Sequence, residues 1–506
     1  MKTFVKTVAL VSIFSVSEKF LGFLYRIFLS RTIGAEGVGM YQVALSVFGL
    51  FYTIACSGIP VTVSRLMTKY RAENSVEKSG RVITAGFLLT LLFSLPMTAC
   101  FFIFKDKLTF LFSDERCMQV FCIILPGLSF TCIYSVIRGV FWGNKSFLPY
   151  SIIELLEEAV MIISGIILIS FATSPYSGAI RAGLAVLISY LFSFTVSTAY
   201  FFIKKNRLKN PKTEFKPLFK SAMPITAMRT ANTLTISLVS IILPLRLISA
   251  GFTNSEAMSA FGTVIGQAFP LLSVPTTAIS AFTLVLMPEI AEHFYKKDHL
   301  ALKRAVEKAL KITVLISALF IPIFFSLGEE IGILIFNNAT CGKYLTASCF
   351  LTLFMGLSSI TTSILNSMGL EHKTLIYFVI SGVLMLASIW ILPKFIGVYS
   401  LLVGFSFVFG LSSVFNLILL SKSCKLKPKY LKFTMLALLT ILPTVLLSIM
   451  LKSLLLPYLG TTFTFLVVGV LGGVFSCAFL FGVGVTEYQT LKRIFLKKLK
   501  YKKRPA

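Results

Sequence analysis

Fourteen stretches of predominantly apolar residues run almost end to end through this chain, and nothing between them is long enough to form a separate domain. Each holds about 20 residues, the length that carries a helix across a hydrocarbon core of ~30 Å. Within lipid a segment must satisfy its own backbone groups, which leaves helices or closed barrels, and continuous apolar runs of this length are helical. The spans fall near 4–31, 40–66, 82–104, 117–141, 150–172, 182–203, 221–249, 258–288, 309–336, 345–369, 374–393, 397–421, 431–453 and 460–484. The expected fold is therefore all-α, a polytopic membrane protein. Composition agrees: 56% of 506 residues are hydrophobic and 13% charged, more apolar surface than a soluble core conceals.

The start of the chain has two readings. Lys2 and Lys6 before the apolar run Thr7–Ser17 look like the opening of a signal peptide. No small-residue cleavage site follows, and the apolar pattern resumes at Phe20, so it reads as a retained first span.

A net charge of +28 in a soluble chain would suggest nucleic acid, but its placement says otherwise. Lysines and arginines gather in alternate connections, at 65–81, 204–220, 296–311, 422–432 and the tail from Lys492 to Arg504. The connections between them are short and nearly neutral. That alternation is the positive-inside pattern, and with an even number of spans it puts both termini in the cytoplasm. The basic loops and tail are expected to meet anionic lipid headgroups, and no nucleic-acid partner is expected. Nine scattered cysteines form no CxxC pair and three histidines form no cluster, so neither metal site nor cofactor is expected. GVFWGNKS has the wrong glycine spacing for a phosphate loop and follows no strand.

The chain also repeats itself. GFLYRIFLSRTIGAEGVGMYQVALSVFGLFYTIACSGIPVTVSRLM in spans one and two parallels the stretch from Thr235 to Ile290 in spans seven and eight. Both pass from a long helix through a short glycine-containing turn to a helix broken by proline, Pro60 in one and Pro270 and Pro275 in the other. RGVFWGNKSFLP likewise stands beside LNSMGLEHKTL. Six spans per unit give two lobes of like orientation, as in parallel-repeat transporters. The expected organisation is an N-lobe at 1–203, a basic cytoplasmic linker at 204–220, a C-lobe at 221–421, and two further helices with a basic tail at 422–506.

Ionisable residues at membrane depth are costly and mark function by default. Lys19, Gly22 and Arg26 follow i, i+3, i+7, which sets both cations on one stripe with a bare glycine hinge between them. Arg138 and Arg229 lie in spans four and seven. Together these cations suit an anion such as a phosphate or pyrophosphate; the alternative is snorkelling, or pairing with Glu18. Glu154, Glu157 and Glu158 crowd the start of span five. They read as structural partners of the helix dipole and Arg138, or with Glu18 as a proton or cation relay. Pro60, Pro270 and Pro275 are candidate hinges.

The first-span stretch quoted above, RGVFWGNKSFLPYSIIELLEE and LPLRLISAGFTNSEAMSAFGTVIGQAFPLLSVPTTAISAFTLVLMP resemble the polysaccharide exporters that include the stage V sporulation protein B group. The wider superfamily holds lipid II flippases and multidrug antiporters. The resemblance covers essentially the whole chain. It implies a multi-pass protein of the bacterial cytoplasmic membrane, working as a monomer, that moves a polyprenyl-pyrophosphate-linked saccharide for peptidoglycan or polysaccharide synthesis. Lys19 falls where lipid II flippases carry a cavity cation, and Gly22 and Phe23 match them. Tyr25 stands where a second arginine is expected, with Arg26 one step later, 100° around the helix. Of the sporulation group's RG-aromatic-FQG motif, Arg138, Gly139, Phe141 and Gly143 match while Val140 and Trp142 depart, and Glu157 matches its acidic residue.

The expected function is a flippase working by alternating access, with a possible coupling ion, and not an enzyme. A cation-coupled multidrug antiporter is the rival from the same superfamily. A membrane-embedded glycosyltransferase or polymerase, or a cell-wall assembly scaffold, is the rival of another class.

Overall fold

Large apolar side chains face outward and small hydroxylated ones face inward, the reverse of a soluble protein. Leu88, Leu92 and Leu95 are exposed on one helix and Ile163, Ile166 and Ile167 on another, while Ser189, Ser193 and Ser197, spaced by four, are at most 1% exposed. Lipid tails solvate leucine as well as a protein core does. Helix contacts therefore go to small residues that let backbones approach and to hydroxyls that bond locally.

The computed structural model describes residues 2–73, 75–204, 208–424 and 429–482; the described residues hold helix and no strand. The helices are α1 (Lys2–Cys56), α2 (Ile59–Ala72), α3 (Val76–Ile103), α4 (Glu115–Ile124), α5 (Gly127–Gly143), α6 (Phe147–Ile169), α7 (Pro175–Ile203), α8 (Phe215–Ser249) and α9 (Asn254–Phe261). After a π-helical stretch at Gly262–Ala268 come α10 (Phe269–Tyr295), α11 (His299–Phe336), α12 (Ala339–Ser348), α13 (Leu351–Ser367), α14 (Glu371–Ile391) and α15 (Pro393–Ile396). The chain finishes with α16 (Ser400–Phe405), a second π stretch at Ser406–Leu411, α17 (Ser412–Cys424) and α18 (Lys429–Gly482). The basic tail from Lys492 to Arg504 lies outside the described residues.

Among the described residues eight helices are long and apolar enough to cross a membrane, and ten if each of two bent pairs counts once. The difference from fourteen has local causes. Spans one and two fuse into α1, whose only interruption is Gly34 at φ 68°, a value glycine reaches without strain. Span five is α6, which carries three glutamates. Spans thirteen and fourteen lie within α18 as shorter apolar segments, Leu439–Leu455 and Val467–Phe479. Spans four and ten are broken: α4 and α5 meet at 47°, α12 and α13 at 60°.

The chain forms two compact units, Met1–Gln267 and Ala268–Ala506. In the first, Gly39 and Gly262 let α1 meet α9 and the start of the π-helical stretch backbone to backbone; a Cβ on Gly39 would strike the Met258 carbonyl, and one on Gly262 the Ala35 carbonyl. The segment just before α8 is strapped to the same unit. Tyr70 donates to the buried carboxylate of Glu214 at 2.6 Å, Arg81 to Thr213 at 3.1 Å, and the Lys209 amide to Thr84 at 3.0 Å. In the second unit, α11 packs along α18, pinned by Lys452 Nζ against Glu330 Oε1 at 2.5 Å.

Candidate functional site

The polar centre of the first unit begins at a tight connection. Only Asn144–Ser146 join α5 to α6, and Lys145 takes φ 56° to turn the chain. The turn brings Arg138 of α5 opposite the first turns of α6, where Glu154, Glu157 and Glu158 occupy i, i+3 and i+4. Gly139 makes this possible: a Cβ there would sit 2.6 Å from the Pro60 carbonyl, so α5 lies directly on the start of α2.

Arg138 is a junction. Its Nη1 donates to Glu154 Oε1 at 3.4 Å, its Nη2 to Tyr52 Oη at 3.2 Å and to Ser135 Oγ at 3.5 Å. Its guanidinium lies 5.3 Å from the centre of the Trp142 ring. Around it a cavity of about 120 Å³ is lined by Glu18, Glu154, Glu157 and Glu158, with Tyr52, Thr131, Tyr134 and Ser135 making up the rest of the wall. One guanidinium thus faces four carboxylates. Tyr134 is 4% exposed, and its buried hydroxyl has no hydrogen-bond partner among the described residues.

A second cavity, of about 260 Å³, opens beside it, lined by Gly22, Tyr25, Arg26, Tyr41, Gln42, Glu158 and Tyr190 among others. Arg26 is exposed and joins no ion pair within 4 Å among the described residues. Tyr25 is 3% exposed, and its hydroxyl is buried and unpartnered. It points at Gly165, where any side chain would collide with it. Three phenols, an amide and an open guanidinium, with the Glu158 carboxylate at one side, make a lining that can bond a sugar and, at the guanidinium, a phosphate.

The sequence stripe on the first span divides. Gly22 and Arg26 both line the larger cavity, while Lys19 is exposed and lines neither. The helix passes Gly22 without a break; the glycine instead makes room for Glu158, whose Oε1 would lie 2.9 Å from an added Cβ. Arg229 is also placed elsewhere. Its Nη1 donates to the Ser57 carbonyl at 2.8 Å, and Thr226 accepts from the Gly58 amide at 3.1 Å. These two bonds from α8 satisfy backbone groups freed where Pro60, at the start of α2, ends α1. Pro270 stands at the start of α10 and Pro275 a turn and a half further on, both after the π-helical stretch.

Sequence reasoning missed the tyrosines. A signal was present: against 49 phenylalanines the chain has 17 tyrosines, and a phenol at membrane depth needs a reason to be there. Among the described residues no three His, Cys, Asp or Glu side chains are arranged to hold a metal ion.

Residues 4–294 match the family described as polysaccharide biosynthesis protein. Stage V sporulation protein B of Bacillus subtilis (strain 168) is 23% identical over 406 residues, covering 77% of this chain and 78% of that protein. Lipid II flippase MurJ of the same organism is 23% identical over 323 residues, 58% of this chain and 59% of the flippase. Among solved structures, a lipid II flippase MurJ in an inward closed conformation superposes with a TM-score of 0.71 at 16% identity, covering 97% of this chain and 99% of the other. An inward-facing multidrug resistance transporter of the MATE family gives 0.66 at 14% identity, covering 81% and 96%.

Proposed function

The chain belongs to the polysaccharide biosynthesis protein family, and from that membership together with its site we infer that it is a membrane flippase for a lipid-linked saccharide. It is a multi-pass transport protein and not an enzyme. Its cargo is a saccharide on a polyprenyl pyrophosphate, of the kind used in peptidoglycan or polysaccharide synthesis. The observation that carries the reading is the cavity on α1 and α6 where Arg26 stands open among Tyr25, Tyr41 and Tyr190. A guanidinium fork takes pyrophosphate oxygens in parallel bonds, and phenol faces take the apolar face of a sugar.

The prenyl chain stays in lipid while the headgroup enters the protein. The repeat supports two lobes, 1–203 and 221–421, that rock about the site in alternating access, joined by the linker 204–220 and followed by 422–506. Pro60, Pro270 and Pro275 are the proposed flexing points. The protein acts as a monomer with both termini in the cytoplasm, its basic loops on anionic headgroups. An inside-negative potential then assists outward movement of the anion by ~2.3 kcal/mol per charge per 100 mV.

The test is transbilayer movement of a fluorescent polyprenyl-pyrophosphate saccharide in proteoliposomes. Arg26→Ala is expected to slow it by about tenfold or more, the worth of a charge-assisted fork. Lys19→Ala, whose side chain lies outside both cavities, is expected to slow it about threefold, as a long-range charge does. Unchanged movement in both variants ends the anion-site reading.

One observation favours the antiporter rival, the four carboxylates around Arg138. Efflux of a lipophilic cation from the same liposomes, lost in Glu154→Gln and Glu157→Gln, would establish it.

A further inference from the structure

Glu158 is the single residue that lines both cavities. One side of its carboxylate belongs to the wall shared with Glu18, Glu154 and Glu157; the other looks into the chamber that holds Arg26. Gly22 allows this, since a Cβ there would stand 2.9 Å from Glu158 Oε1. The charged and titratable groups facing Glu158 come from each neighbouring helix. They are Glu18, Tyr25, Arg26 and Tyr41 of α1, Glu154 and Glu157 of its own helix and Tyr190 of α7, with Tyr52 of α1 and Tyr134 and Arg138 of α5 across the smaller cavity. Arg138 is already engaged by Glu154, Tyr52 and Ser135, so its charge is shared.

We propose that Glu158 couples the two cavities: an anionic headgroup held at Arg26 draws a proton onto Glu158, and the two enter together. The proposal rests on the flippase reading given above and adds to it the identity of the co-transported ion. A pyrophosphate beside Arg26 brings further negative charge to a wall that Glu158 shares with three more carboxylates. Taking up one proton removes the like-charge repulsion, and by linkage a protonated Glu158 strengthens anion binding by the same factor. The structure provides for a protonated acid here. Tyr134, 4% exposed, lines the same cavity as the four carboxylates, and its hydroxyl, without a partner among the described residues, can give or accept the hydrogen bond that a carboxylic acid in this cluster offers.

The experiment titrates farnesyl pyrophosphate into the full chain in nanodiscs by calorimetry, using two buffers of different ionisation enthalpy to count protons. Wild type is expected to take up about one proton more per ligand than Glu158→Gln, and its dissociation constant to rise about tenfold more per pH unit through the uptake range. Glu158→Asp, which keeps an acid, is expected to retain uptake, and an unchanged melting temperature shows that the glutamine variant is folded. Gly22→Ala, which displaces the carboxylate without altering charge, is expected to bind the probe with diminished uptake. Replacing sodium by choline is expected to change nothing. Equal proton uptake in wild type and Glu158→Gln, or a requirement for sodium, overturns the coupling alone. Failure of wild type to bind the probe overturns both the coupling and the anion-site reading beneath it.

Discussion

The bent pair α4–α5 with its follower α6, and the bent pair α12–α13 with its follower α14, are two versions of one design carrying opposite chemistry. Each begins with a short helix capped by its N-cap side chain, Asp114 in one and Asn338 in the other. Each bends near its middle, by 47° and 60°. Each turns into the next helix through a residue at positive φ, Lys145 at 56° and Gly369 at 76°. There the likeness stops. The first version sets Arg138 against three glutamates of α6. The second sets Asn416 of α17 against Thr361 and Thr362 of α13 at 3.2 and 2.9 Å, and α14 carries no charged residue after Lys373. In the second unit Glu330 and Lys452 are matched one to one. Backbone architecture and site chemistry are therefore separable, and the surplus of charge at membrane depth lies in the first version, the half in which the proposed ligand and ion sites fall.

The largest effect is expected from carrying the charge across. Thr361 is fully buried, its hydroxyl donating to the Leu357 carbonyl at 2.6 Å and accepting from the Asn416 amide at 3.2 Å. Thr361→Glu would strand a carboxylate without a cation, at a cost of about 4 kcal/mol or more. Thermal unfolding in detergent should show its loss; a stable variant would break the contrast between the two halves. Next comes Arg138→Ala, which leaves Glu154 and its neighbours without their shared cation. With both partners about a fifth exposed, the expected loss is about 3 kcal/mol, and Arg138→Lys should recover only part of it because the fork to Tyr52 and Ser135 is gone. The smallest effects are at the turns. Lys145→Gly should stabilise by about 0.5 kcal/mol and Gly369→Ala destabilise by about 1 kcal/mol, since only glycine is unstrained there. Opposite signs in paired melting curves would sharpen the equivalence of the two turns, and equal signs would dissolve it.

Much of the site was legible before any coordinates. The i, i+3, i+4 spacing of the α6 glutamates follows from helix periodicity, and pairing with Arg138 across the short connector was one of two readings it left open; in the structure Glu154 makes that contact, at 3.4 Å. Pro60 ends a helix as its ring demands. Arg229 was legible only as a cation at depth. That it caps the Ser57 carbonyl depends on a break in one helix lying beside another helix distant in sequence. The division of the first-span stripe was hidden for a similar reason. Helical spacing puts Lys19 and Arg26 on one face, but whether each meets a cavity depends on which helices cover that face.

Hydropathy alone determined that this is a helical membrane protein, because burying a backbone in lipid leaves each segment to satisfy itself whatever its neighbours are. Periodicity likewise gave the repeat and the acidic start of α6. Neighbours decided the rest: that Glu158 stands in the walls of two cavities, that Arg26 is left open, and that phenols complete the lining. Charges at membrane depth find their partners in space, through helix rotation and close approach at glycines such as Gly22 and Gly139. No segment encodes that arrangement by itself.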